Sequence, residues 1–108
     1  MARGLNAEPS VVRWAGPAAP SEHAILTVFQ HEAMAPRPWS NGPFDRYAPH
    51  RHGYHKLLYC VRGSITFVLH PSGRAIELRP GDRMELPRDT EHSAVVGPQG
   101  VACIEGYR

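Results

Sequence analysis

In the second half of the chain, short segments that are apolar, or that alternate between apolar and polar residues, are separated by turns. Glycine or proline lies in the turns at 62–63, 71–73, 80–82 and 97–100. Turn residues spaced every ~8–12 positions are typical of an all-β sandwich or barrel. No segment has the spacing of an amphipathic helix, so we predict an all-β domain. Its strands are predicted at residues 56–61, 64–69, 75–78, 83–86, 92–96 and 101–104.

The segment from residue 23 to residue 49 combines a strand-like pattern with a proline-rich stretch. Residues 23–30 contain β-branched and aromatic residues and are predicted to form another strand. Residues 33–49 hold four prolines and one glycine, which makes a helix very unfavourable. We predict a long ordered loop there, packed down by Trp39 and Phe44. Loops of more than ~12 residues in small domains are often functional.

Residues 1–22 are predicted to form an extended arm that precedes a single domain at residues 23–108. The arm is rich in alanine, proline and glycine, and its one strand-like segment is 11–14, with Trp14 as an anchor on the domain. An arm of this kind often pairs with the edge strand of a neighbouring copy, which also protects that edge from aggregation. We therefore expect a homodimer.

Composition limits the classes of function. The chain has 108 residues, 42% of them hydrophobic and 20% charged, as expected for one globular domain. No apolar run approaches the ~20 residues of a membrane span, and the N-terminus has no signal-peptide core. With only two cysteines, a cytoplasmic location is expected. The arginines are scattered rather than clustered, so no nucleic-acid surface is predicted.

Three histidines are candidate metal ligands. His50 and His52 lie two residues apart at the entry to a predicted strand, where side chains at this spacing point to the same face. His92 begins a later strand and supplies a third imidazole. Three imidazoles can hold a divalent transition metal ion and leave positions open for substrate. The alternative is a set of exposed, solvated histidines.

The spacing of these histidines is part of two longer motifs. The stretch from His50 to Gly63 reads His-x-His-x3-Lys-x2-Tyr-x3-Gly, and Gly81 to His92 reads Gly-Asp-x4-Pro-x4-His. In spacing and order they resemble the two motifs of the cupin superfamily, over about residues 23–105. The resemblance implies a small single-domain jelly-roll barrel, a double-stranded β-helix. It also implies a metal site inside the barrel, with His50, His52 and His92 as ligands to Fe, Zn, Mn or Ni, and frequent dimers.

The sequence departs from the first cupin motif at its glutamate, which is Lys56 here, the only lysine in the chain. A positive charge in place of a negative one weakens cation binding, since two unit charges ~4 Å apart interact by about 4 kcal/mol at an effective dielectric near 20. Three arrangements would relieve this: an outward-facing Lys56, a carboxylate partner or loss of the ammonium proton. The candidate carboxylates are Glu85, Glu105 and Asp45. His55 is expected to face away from Lys56.

Two hypotheses about function follow. In the first, the chain is a metal-binding cupin that acts on a small, anionic molecule as an oxygenase or isomerase. Lys56 is then the candidate catalytic residue, and Lys56, Tyr54 and Arg51 form the candidate substrate pocket. In the second, the chain is a metal-free binding or sensing barrel, in which Lys56 and the pocket histidines bind the anion directly. Tyr47 and Tyr107 either line the barrel mouth or pack against it.

Overall fold

The computed structural model describes residues 8–108, so the first seven residues of the predicted arm lie outside the described part. In this part the chain forms one helix and seven strands. No helix in it is long and apolar enough to cross a membrane. The elements are β1 (Ser10–Val12), α1 (Glu22–His31), β2 (Arg37–Asn41), β3 (Arg46–His50), β4 (Lys56–Leu69), β5 (Ala75–Leu78), β6 (Arg83–Leu86) and β7 (His92–Tyr107).

Two long strands organise the sheet. β4 and β7 pair antiparallel from Lys56 opposite Tyr107 to Leu69 opposite His92. β5 and β6 also pair with β4, whereas β2 and β3 pair with β7, and β1 pairs with β6. Every pairing is antiparallel. Because β3 pairs with the first residues of β7, His50 at the end of β3 comes next to His92.

Alternate residues of β4 serve two separate cores, as the two-residue period of a strand requires. Leu58 and Cys60 belong to the inner core, and so does Phe67, which follows the register shifts near Gly63. Leu57 faces the other way, into a smaller outer core that helix α1 covers with Ile25 and Phe29. The inner core ends at the histidines, so a packed apolar floor supports the candidate site.

The prediction of a strand at 23–30 is wrong, because this segment lies in helix α1. Ser21 caps the helix, its hydroxyl accepting a hydrogen bond from the Ala24 amide at 3.1 Å. Ile25 and Phe29, four residues apart, form the buried stripe. The β-branched residues favoured a strand, but the cap and the tertiary packing of this stripe decide the conformation.

The prediction of a continuous loop at 33–49 is also wrong, since β2 and all of β3 except His50 lie within it. Pro38 lies in β2, which is an edge strand, and there a residue without an amide hydrogen need not break the ladder. Trp39 packs against the inner core as expected. Phe44 does not pack down the loop, because it is 65% exposed.

Two predicted turns are instead irregularities within long strands. Residues 62–63 lie inside β4, and residues 97–100 lie inside β7. The β4–β7 register shifts on both sides of Gly63, as at a β-bulge. Gly63 has φ +72°, and a Cβ there would lie 2.0 Å from the Gly100 carbonyl oxygen. Glycine is therefore required by the close approach of the strands rather than by a chain reversal.

The described part of the arm lies on its own chain. β1 pairs with β6, and the Trp14 amide donates a hydrogen bond of 2.9 Å to Asp82 Oδ1. Asp82 also accepts from Arg13 at 2.8 Å. The edge of β6 is thus covered by the arm of the same chain. The homodimer and the division at residues 22 and 23 stay predictions.

Candidate metal centre

Strand pairing brings the three predicted histidines together. His50, the last residue of β3, is the register partner of His92, the first residue of β7. His52 follows two residues later in the loop before β4. The imidazole centroids are 4.4 Å apart for His50 and His92, 4.8 Å for His50 and His52, and 5.4 Å for His52 and His92. One ring nitrogen of each lies within 4.8 Å of the other two.

Hydrogen bonds to the backbone fix two of the rings. His50 Nδ1 lies 2.7 Å from the Ala48 carbonyl oxygen, and His92 Nδ1 lies 2.9 Å from the Thr90 carbonyl oxygen. A carbonyl only accepts, so both Nδ1 atoms carry the hydrogen, and each neutral ring keeps its lone pair on Nε2. His52 Nδ1 forms a hydrogen bond of 3.0 Å with the Tyr54 hydroxyl. Three oriented imidazoles are a donor set that fits a divalent transition metal ion.

The surroundings also favour neutral rings. The pKa of His92 is lowered to about 4. Burial is the main cause, and the neighbouring His50 and Lys56 also contribute. Burial likewise lowers the pKa of His52, together with the charge of Lys56. Metal ligation requires the unprotonated imidazole. Near neutral pH the pKa of His92 therefore leaves this ring ready to bind a cation without first losing a proton.

The three histidines line a cavity of about 210 Å³. Its other walls are mainly apolar and aromatic, and two charged side chains, Lys56 and Glu105, lie beside the histidines. The complete lining consists of Trp39, Tyr47, His50, His52, Lys56, Ile65, Phe67, His92, Ala94 and Glu105. A mainly apolar lining with a few converging polar groups is typical of a small-molecule site.

Lys56 lies inside the site and has a carboxylate partner. Its Nζ is 3.4 Å from Glu105 Oε1, and the two side chains are only 12% and 10% exposed. Its distance to His52 Nε2 is 3.5 Å, at the limit of a hydrogen bond. Of the three arrangements considered from the sequence, the structure has the paired one, and Glu105 is the partner. Glu85 instead contacts His55 on the opposite face, at 2.9 Å.

Glu105 is itself held by two aromatic donors. Trp39 Nε1 donates to Oε1 at 2.8 Å, and the Tyr107 hydroxyl donates to Oε2 at 2.6 Å. The hydrogen bond to Glu105 is the main cause that raises the pKa of Tyr107, so this phenol keeps its proton. With Lys56, three donors surround a carboxylate that is almost fully buried.

The chain is similar to known proteins in sequence and in fold. The model of the AraC-like ligand binding domain matches residues 40–104, more than half of the chain. The chain belongs to this family. The solved RmlC-like cupin from Shewanella frigidimarina superposes with a TM-score of 0.59 at 22% identity, covering 68% of this chain and 64% of that one. The protein therefore has the fold of a small cupin, and the predicted jelly-roll fold is confirmed.

Two curated relatives match part of this small cupin. Quercetin 2,3-dioxygenase from Bacillus subtilis is 41% identical over 56 residues, which are 50% of this chain and 16% of that protein. Dimethylsulfoniopropionate lyase DddW from Ruegeria pomeroyi is 32% identical over 66 residues, which are 61% of this chain and 42% of that protein. The cupin thus spans less than half the length of either relative.

The other predicted pocket residues take different places in this cupin. Tyr54 stacks on the ring of His52, with centroids 4.9 Å apart, and does not line the cavity. Arg51 points outward, 57% exposed, and pairs with Glu91 at 3.1 Å. In an extended segment, a residue between two inward-facing histidines faces outward, so the alternation itself excludes Arg51.

Sequence reasoning gave too little weight to three residues of the site. Glu105 appeared only as one of three partners for Lys56, Trp39 mainly as a plug for the loop, and Tyr47 mainly as a packing residue. A signal for Glu105 was present, because it is the only acidic residue in the largely apolar segment 101–107. Acidic residues in such segments are rarely buried unless they are paired.

Proposed function

We propose that this small cupin binds one divalent transition metal ion through His50, His52 and His92, and acts on a small, anionic molecule in the adjoining cavity. The observation that carries the proposal is the set of three imidazole nitrogens within 4.8 Å of one another at the cavity wall. The names of both curated relatives, a dioxygenase and a lyase, refer to small organic molecules, which supports a small-molecule substrate.

The balance of charge supports an anionic ligand. In the metal-free site, the positive charge of Lys56 and the negative charge of Glu105 offset each other at 3.4 Å, and the pKa of His92 keeps this ring neutral. A divalent ion would make the site strongly positive in a poorly solvated place, where charges act strongly. The apolar wall formed by Ile65, Phe67 and Ala94 suits an apolar portion of the same molecule.

The residues of the cavity would have different roles in the reaction. The ion would supply Lewis-acid polarisation of a bound oxygen. Lys56 would contact the negative charge of the substrate beside His52, and the aromatic wall would exclude water and orient the apolar portion. Oxygenation is the reaction type that the name of quercetin 2,3-dioxygenase supports. Isomerisation stays a prediction from the cupin resemblance alone.

The metal-free binding barrel is the second candidate, and one observation favours it. Lys56 Nζ lies 3.5 Å from His52 Nε2, the nitrogen that a metal ion would use. An ammonium hydrogen directed at this lone pair competes with a cation. In this reading Lys56 and the histidines bind the anion directly.

Metal titration separates the two functions. Stripped protein is titrated with Fe²⁺, Zn²⁺, Mn²⁺ and Ni²⁺ in turn, alongside His50→Ala and His92→Ala. The matched control is His70→Ala, because His70 bonds Ser93 at 2.9 Å and does not line the cavity. We expect one ion per chain in the wild type and the control, and none in the two site variants.

Two results would contradict the metal-site proposal. One is a wild type that binds none of the four ions, and the other is full binding by folded His50→Ala. Acetate or benzoate binding to stripped protein, lost in Lys56→Ala, would support the metal-free barrel instead. His92 is 2% exposed, so circular dichroism must first show that its variant is folded.

A further inference from the structure

We propose that Glu105 makes a lysine at position 56 compatible with metal binding. In this role Glu105 is a positioning residue, which acts through Lys56 rather than on the metal or the substrate. The inference rests on the proposed metal site, and it explains how that site tolerates a cation where the cupin motif has a glutamate.

The strand register places the two side chains together. Leu58 on β4 is the register partner of Glu105 on β7, and Lys56 is the partner of Tyr107. Lys56 and Glu105 are therefore diagonal neighbours on one face of an antiparallel pair, a spacing that long side chains span. The Nζ–Oε1 distance of 3.4 Å follows from this register and needs no unusual backbone.

Glu105 is the fixed member of the pair. Trp39 on β2 and Tyr107 on β7 each donate to one of its oxygens, at 2.8 and 2.6 Å. Lys56 is a flexible side chain, and apart from Glu105 its only polar contact among residues 8–108 is the long one to His52. The carboxylate therefore sets where the ammonium lies, and not the reverse.

The geometry argues against Glu105 as a metal ligand. Both of its oxygens already accept hydrogen bonds, and among residues 8–108 the set of converging metal-binding groups contains His50, His52 and His92 without Glu105. What Glu105 supplies is a negative charge within reach of Lys56. Two unit charges ~4 Å apart interact by about 4 kcal/mol at an effective dielectric near 20, so removing that charge exposes a bound cation to Lys56.

A double-mutant cycle tests this coupling. The Zn²⁺ affinity is measured by competition with a chromophoric chelator for wild type, Glu105→Gln, Lys56→Met and the double variant. Glu105→Gln should weaken binding about a hundredfold, because the ammonium is left unbalanced. Lys56→Met should bind at least as tightly as the wild type. The double variant should return to within about threefold of the wild type, since both charges are gone.

The control variant is Glu85→Gln, which removes a carboxylate from the same sheet but from its outer face, 2.9 Å from His55. It should change the Zn²⁺ affinity less than twofold, by about the effect of screened surface charge. Denaturant unfolding of all metal-stripped variants gives a second readout. There too, Lys56→Met should rescue part of the stability lost in Glu105→Gln.

The outcomes separate this inference from the proposed function. If the wild type binds no Zn²⁺ and no other ion, the metal site itself is wrong. If the wild type binds Zn²⁺ and Glu105→Gln binds it equally well, only the role of Glu105 is wrong. A double variant as weak as Glu105→Gln would also overturn the inference, because Glu105 would then act on the metal without Lys56.

Discussion

Two groups of charged side chains lie on opposite faces of the same sheet, and they differ in how much water reaches them. On the inner face, Lys56 and Glu105 are 12% and 10% exposed and border the cavity. On the outer face, Glu85 is 32% exposed and pairs with His55 and with Arg83, which is 19% exposed. His55 and Lys56 are adjacent in sequence, yet they serve different groups.

A residue of the outer group can lose one contact and keep others, whereas the inner pair cannot. Arg83 contacts Glu85 at 3.2 Å, Glu32 at 3.4 Å and the Tyr59 hydroxyl at 3.3 Å. Losing one of these partners leaves others, and water reaches the remainder. Among residues 8–108, Lys56 has one carboxylate partner, so the balance of its charge depends on that residue. Burial and the number of partners, rather than charge itself, decide which ion pair the protein needs.

The largest expected effect comes from breaking the inner pair. Glu105→Gln leaves Lys56 as a buried cation without a counter-charge and weakens the acceptor for Trp39 and Tyr107. We expect the free energy of unfolding to fall by about 3 kcal/mol, as for other buried pairs that lose one partner. Urea denaturation of the metal-stripped protein measures it. A loss no larger than that of Glu85→Gln would show that the two faces do not differ.

The stability that Glu85 contributes on the outer face should depend on pH, and its loss should cost less than that of Glu105. Burial opposes ionisation of Glu85, but the contacts with His55 and Arg83 outweigh it and hold the pKa of Glu85 below its ordinary value. A carboxyl group with a lowered folded-state pKa stabilises the protein above its ordinary pKa of about 4.3, and this contribution is lost as the pH falls through the folded-state pKa.

Glu85→Gln should therefore cost about 1 kcal/mol near neutral pH, and the difference from the wild type should shrink as the solution is acidified below pH ~4. Unfolding by urea at a series of pH values gives the comparison. A difference that stays constant with pH would mean that Glu85 acts through packing rather than through its charge.

The sequence was sufficient to predict the parts of the site in which local spacing determines position. His50 and His52 share a side because they are two residues apart, and glycine or proline marks the ends of strands at 71–73 and 80–82. The inward position of Lys56 was left open because a long side chain can turn either way. Its partner could not be chosen, since the β4–β7 register depends on bulges near Gly63 that alternation does not reveal.

The two wrong predictions, a strand at 23–30 and a loop at 33–49, have a common cause. Helix α1 consists of residues that favour strands, and its conformation depends on the Ser21 cap and on packing over Leu57 and Ile104. β2 contains Pro38, which is acceptable only because the strand lies at the edge of the sheet. In both cases the deciding partner is distant in sequence, so a local pattern could not show it.

The smallest expected effect is that of Arg51, which the sequence placed in the substrate pocket. Its guanidinium is 57% exposed and pairs with Glu91, itself 38% exposed, on the outside of the histidine loop. Exposed pairs of this kind contribute about 0–1 kcal/mol, so Arg51→Ala should leave the free energy of unfolding nearly unchanged. The Zn²⁺ affinity of the Arg51→Ala variant, measured beside that of His50→Ala, should stay within about twofold of the wild type, since solvent and salt screen a charge at this position. A tenfold change would mean that Arg51 reaches the cavity in solution, and that the alternation of inward and outward residues around the two histidines is broken.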